Sequence, residues 1–247
     1  MTRVLATYSI KGGVGKTTSA VNLAHEAARA GARVLVWDLD PQGAASFYLR
    51  VRPRVKGGSE RLVARGELAR HVRGTGVAAV DLVPADFSLR HLDLHLDGTR
   101  RPTERLASLL APLAPAYDVV LVDCPPSISL ASEAVFGAAG ALIVPVIPTT
   151  LSSRTLTQLA QFLEGQPGAP ALLPHFAMVD RRKKLHREQL EALSAAWPAF
   201  LTTVIPSASA VERMGVERAP VAAFAPSSAA ARAFRSLWAE TATRLWP

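Results

Sequence analysis

The segment Lys11-Gly12-Gly13-Val14-Gly15-Lys16-Thr17-Thr18 constrains this chain more than any other. Residues 3–9, just before it, are mostly apolar and read as a short strand. Residues 17–30, which carry on from its end, read as a helix with Ala20, Leu23, Ala24 and Ala27 on one face. Gly31 stands where a left-handed residue would end that helix. A glycine-rich turn between strand and helix lets backbone amides turn inward around phosphate oxygens. The helix N-terminus adds the positive end of its dipole. Lys16 is placed to reach the β- and γ-phosphates, and Thr17 to offer a hydroxyl to Mg²⁺. A plain β–α turn has no need of Gly, Lys and Thr in this register. Residues 33–38 form a second strand, so the opening unit is a right-handed parallel crossover.

The same alternation continues. Strands are expected near residues 79–84, at 117–123, 141–146, 171–179 and 200–205. Helices are expected at 102–113, 151–164, 183–197 and 227–245. Val119, Val120, Leu121 and Val122 make the clearest buried strand. The implied fold is α/β: one doubly wound, mainly parallel sheet with helices on both faces, forming a single domain over residues 1–247. Hydrophobic residues make up 49% of the 247 and charged residues 19%, enough to bury a full core. A lone cysteine, Cys124, excludes an internal disulfide and a Cys-rich metal site and points to a reducing, cytoplasmic setting. No signal-peptide pattern opens the chain, and no apolar run reaches the roughly 18–20 residues that span a bilayer.

Two acidic motifs follow strands. Asp38 and Asp40 lie in Trp37-Asp38-Leu39-Asp40-Pro41-Gln42-Gly43, and Asp123 opens Asp123-Cys124-Pro125-Pro126-Ser127. Both put carboxylates at strand C-termini, the edge where open α/β sheets bind ligands. A Mg²⁺–triphosphate complex needs carboxylates there to hold metal waters and orient an attacking water.

The phosphate loop departs from the usual pattern. Ile10 occupies the first glycine position and an extra lysine stands at Lys11. In this the chain resembles the ParA/MinD family of deviant Walker A P-loop ATPases, on its ParA-like branch. The resemblance runs along essentially the whole chain. It implies that Lys11 crosses a dimer interface to the partner's nucleotide, making ATP the link of a sandwich dimer. It also implies that Asp40 positions the hydrolytic water. Asp123 then acts on Mg²⁺ through water, with Asp38 in support. Pro145 to Ser152 resemble the family's segment after the fourth core strand, where the ATP-sensitive part meets the partner subunit. Met178 and Pro206 fall where the family builds its adenine pocket.

Arg181, Arg182, Lys183, Lys184 and Arg187 form the densest basic cluster, and the net charge is +8. On a helix from about residue 183, Leu190, Leu193 and Trp197 share one face, leaving Lys184 and Arg187 to solvent. ParA-like proteins bind DNA without sequence preference through such residues as the ATP dimer, and release it when an adaptor of the ParB type stimulates slow hydrolysis. The resemblance thus implies a nucleoid-associated cytoplasmic protein that positions a chromosome, a plasmid or a protein organelle. A MinD-like membrane regulator of division or flagellar placement is the alternative. It requires a free amphipathic C-terminal helix, but Phe234, Leu237, Trp238 and Leu245 read as a core face. An iron-protein reductase lacks its cysteines, and an amidotransferase-type synthetase is expected to need a second domain. Arg50, Arg52, Arg54 and Lys56 lie in a loop with Pro53, Gly57 and Gly58, a basic segment none of these readings uses.

Overall fold

The structure is a computed structural model that describes residues 2–246. In chain order the elements begin β1 (Arg3–Thr7), α1 (Lys16–Arg29), β2 (Val34–Asp38), α2 (Ala44–Tyr48), α3 (Gly58–Arg65), β3 (Arg73–Gly74), β4 (Val80–Val83) and α4 (Leu92–Asp97). They continue with α5 (Arg105–Leu110), β5 (Val119–Asp123), α6 (Leu130–Ala138), β6 (Ala141–Val146), α7 (Thr150–Leu163), β7 (Ala171–Val179) and α8 (Lys184–Ala196). The last are β8 (Val204–Pro206), α9 (Ser209–Glu212), α10 (Met214–Glu217), α11 (Val221–Phe224) and α12 (Ala229–Leu245). The strands form one sheet in the order β3-β4-β2-β5-β1-β6-β7-β8. All neighbours are parallel except β3, which runs antiparallel on the edge.

Strand alternation sorts the core into two layers. Val119 and Leu121 of β5 pack with α1, α11 and α12 on one face. Val120 and Val122 pack with helices α3 to α8 on the other. Both faces are covered, which is why β2, β5 and β6 are buried at every position. The expected face of α12 is core: Phe234, Leu237 and Trp238 are buried against α1 and its neighbours. Gly31, at φ 95°, ends α1 as expected.

Two expected elements differ. The helix at 102–113 is broken into a 3-10 turn, α5 and a second 3-10 turn at Ala111–Ala116. Pro112 and Pro115 remove amide donors there and clash with a continuing α-helix. The last strand starts at Val204, not at residue 200. The amides of Thr202 and Thr203 donate to the Glu240 carboxylate of α12, at 2.6 and 3.0 Å, and so leave the ladder. Phe200 and Leu201 are buried without being strand.

Candidate functional site

β1, β5 and β2 lie side by side, and their register aligns Thr7 with Asp123 and Asp123 with Asp38. This row ends the three central strands beside the loop that leads into α1. The turn needs left-handed backbone at Gly13 (φ 71°) and Gly15 (φ 100°), conformations costly for a side chain with Cβ. Gly15 is the N-cap of α1, and Lys16 is the first helical residue.

Lys16 is buried, with its Nζ donating to the Lys11 carbonyl at 3.4 Å. Burial lowers its pKa, and the carboxylates of Asp123 and Asp40 act in the other direction. Asp123 is fully buried. Its Oδ1 accepts from the Thr7 hydroxyl at 3.2 Å, the nearby Thr17 hydroxyl moderates the rise in its pKa, and Oδ2 has no partner. Asp38 is also fully buried. Its Oδ2 accepts from both the amide and the hydroxyl of Ser46 at 2.7 Å, and Oδ1 has no partner. Burial raises both carboxyls above the ordinary range; Asp38 adds to the rise at Asp123, and Asp40 to that at Asp38. Two buried carboxylate oxygens without donors, beside the Thr17 hydroxyl, fit a hard divalent cation that takes oxygen ligands and keeps its waters.

Asp40 is half-buried on the loop after β2. Its Oδ1 accepts from the Gln42 amide and its carbonyl from the Gly43 amide, each at 2.9 Å. Lys11 is half-buried at the turn, while Gly12 and Gly13 are exposed and Val14 is buried. Thr18 is half-buried, and its carbonyl accepts from the Asn22 side chain at 2.8 Å. Met178 has φ 55° and a half-exposed side chain whose methyl lies 3.8 Å from the point where a Cβ on Gly15 would stand. Pro206 ends β8, in register with Val179. The structure thus brings Met178 to the phosphate loop and Pro206 to the next strand end.

Arg181, Arg182, Lys183, Lys184 and Arg187 are all exposed, at the start of α8. Arg182 pairs with Asp180 at 2.9 Å and Lys184 with Glu188 at 3.5 Å. Arg187 donates to the carbonyls of Arg181 and Arg182. A cavity of about 740 Å³ between α3, α4 and α5 includes Glu60, Leu94 and Arg105 in its lining and holds none of the phosphate-loop or acidic residues.

Sequence reading missed Thr7 and Ser46, which orient the two carboxylates. The one available signal was a hydroxyl at the end of an otherwise apolar strand. It also missed Ile128, an exposed apolar side chain that follows β5 on the sheet edge where Leu151, within the expected segment of Pro145 to Ser152, follows β6.

A family model described as "AAA domain" matches residues 2–166. The chain is 34% identical to the chromosome partitioning protein ParA of Caulobacter vibrioides over 197 residues, covering 75% of this chain and 73% of that one. It is 29% identical to the chromosome-partitioning ATPase Soj of Treponema pallidum over 250 residues, covering 99% and 98%. Among solved structures, cobyrinic acid a,c-diamide synthase from Mycobacterium smegmatis with bound ADP and magnesium superposes with a TM-score of 0.79 at 28% identity, over 100% of this chain and 96% of that one. A chain of this length therefore carries a synthase name without a second domain, and the length argument against a synthetase does not hold. The phosphate loop with Lys11 and Lys16, the acidic strand ends, the sheet order and these relatives agree, and the chain belongs to the ParA/MinD family of P-loop ATPases.

Proposed function

We propose that this protein is an ATP-switched positioning ATPase of the ParA type. It binds ATP and Mg²⁺ at the loop of Lys11 to Thr18, dimerises through the bound nucleotide, and in that state binds DNA without sequence preference. The observation that carries the reading is the row Thr7–Asp123–Asp38, with two unpartnered buried oxygens, set beside Lys16 and Thr17. Mg²⁺ bound there would supply charge neutralisation to the phosphates. The Thr17 hydroxyl and, through water, Asp123 would hold it, with Asp38 in support. Lys16 stabilises negative charge that develops on the transferred group. Asp40 accepts a hydrogen bond from the attacking water and orients it. Lys11 reaches the nucleotide of the second copy, and Met178 and Pro206 flank the adenine.

The switch works only if ATP favours the dimer over the monomer by its differential affinity. An adaptor of the ParB type, or an equivalent on another cargo, stimulates slow hydrolysis and resets it. Names of the relatives support chromosome partitioning as the role. The exposed cations of Arg181 to Arg187 support nucleic-acid phosphate as the surface gripped, in a cytoplasmic, nucleoid-associated protein. The MinD-like alternative is less well supported, because α12 turns Phe234, Leu237 and Trp238 into the core.

A gel shift with duplex DNA at stated salt, without nucleotide, with ADP and with ATP plus Mg²⁺, tests this reading. The expected result is retardation with ATP alone. No retardation in any state, with ATP-dependent sedimentation on anionic liposomes, overturns it in favour of the membrane reading.

A further inference from the structure

The basic segment at Arg50–Lys56 takes no part in the site above. Arg50 is held: its guanidinium donates to the carbonyls of Glu217 at 2.8 Å and Arg218 at 3.1 Å, tying the end of α2 to α10. Lys56 goes elsewhere. It lines a cavity of about 280 Å³ with Arg61, Arg65, Glu67, Arg70, His71 and Arg73. The walls are α3, the 3-10 turn at Leu68–His71 and the edge strand β3.

The charges in this cavity do not cancel. Glu67, the one carboxylate, pairs with Arg70 at 3.0 Å. Among the described residues Lys56, Arg61, Arg65 and Arg73 have no carboxylate in salt-bridge range. Arg73 is anchored instead by the carbonyls of Arg70 and Val72, at 2.9 and 2.7 Å. Arg61 and Arg65 stand four apart on one face of α3, a like-charge spacing that destabilises a helix unless an anion lies between them. The second observation is His71. It is only 7% exposed, it lines the same cavity, and its buried Nδ1 has no hydrogen-bond partner.

We propose that the cavity between α3, the Leu68–His71 turn and β3 is a second anion site, which binds the phosphates of a compact polyphosphate such as pyrophosphate, triphosphate or a nucleotide's phosphate chain. Guanidinium forks suit phosphate oxygens in pairs. The concave shape selects a compact anion: a duplex laid across it would meet only its rim. The site lies at the β3 edge of the sheet, whereas the nucleotide loop follows the central β1 and the basic start of α8 follows β7. It therefore does not depend on the positioning-ATPase reading. A bound anion bridges α3 and β3, and stabilises the fold in addition to any nucleotide.

Calorimetric titration of sodium tripolyphosphate into the full chain saturated with ADP tests this, run beside the Arg61→Gln/Arg65→Gln variant. Both side chains are exposed, and glutamine removes their mutual repulsion, so the variant is expected to fold. The expected result is one tripolyphosphate site whose affinity falls about tenfold or more in the variant. Arg61→Lys/Arg65→Lys should recover part of it, and ADP affinity should be the same in all three. Absence of tripolyphosphate binding, or equal binding by parent and glutamine variant, overturns the proposal. So does a variant that loses duplex DNA binding while the parent binds no tripolyphosphate, since the patch would then be a nucleic-acid contact. Failure of ADP to bind would count against the nucleotide reading alone, leaving the difference between parent and variant readable.

Discussion

Asp123 and Asp38 each keep one carboxylate oxygen buried and without a donor, an arrangement that costs free energy until a cation or its waters supply the missing contact. Magnesium should therefore raise the melting temperature of the ADP complex above that with ADP alone. Asp123→Asn should remove most of that increment while ADP still binds; an unchanged increment would take Asp123 out of the metal site. His175 makes a separate prediction. It lies fully buried on β7 with its Nε2 3.2 Å from the Ser19 hydroxyl, and burial lowers its pKa from 6.5 to about 4. The fold holds the neutral ring, while the unfolded chain takes up a proton below about pH 6.5. This contribution is full above about pH 6.5 and is lost as the pH falls toward 4, on the order of 2 kcal/mol gone by pH 5. Denaturant titrations at pH 7 and pH 5 should show a smaller loss in His175→Gln than in the parent; parallel losses would contradict it. The lysines, glycines and acids of the site were legible in sequence because each is a chemical group at a fixed step from a strand. Thr7 and Ser46 were not, because only the register of three strands and the turn into α2 bring them to those carboxylates.

Long, strongly periodic elements were readable: α1, α7, α8 and α12 fall within a residue or two of their expected bounds. Short ones were not. α2, α9, α10 and α11 are each four or five residues, too few to show a period. The end at Val204 was hidden because Thr202 and Thr203 answer to Glu240, distant in sequence. On α8, Leu193 is buried and Leu190 and Trp197 pack partly against the same core, which leaves Lys184 and Arg187 exposed as the periodicity requires. If that helix grips phosphates, Lys184→Gln/Arg187→Gln should weaken binding to every duplex sequence alike. The slope of log affinity against log salt should become shallower by about two. An unchanged slope would make the cluster an ordinary solvated face.

The whole sheet turns its C-terminal edge, with the phosphate loop, Asp40 and the acidic row, toward one side. Ile128 (57% exposed), Leu151 (64%) and Met178 (36%) end or follow strands on that side. Alternation of strand and helix made the doubly wound sheet legible. Assembly was not legible from composition or periodicity, since apolar residues destined for an interface look the same in sequence as core residues; only the resemblance, carried by Lys11 and the segment of Pro145 to Ser152, pointed to a dimer. A second copy closing over the nucleotide would cover these side chains and bring Lys11 to the facing site. Sedimentation velocity of the parent, Lys11→Ala and Asp40→Ala, each with ADP–Mg²⁺ and with ATP–Mg²⁺, tests that directly. A parent that dimerises only with ATP, a Lys11→Ala that stays monomeric, and an Asp40→Ala that remains dimeric long after the parent has hydrolysed its ATP are the predicted results. A parent that is monomeric with ATP, or a Lys11→Ala that dimerises as the parent does, would contradict the nucleotide-linked switch.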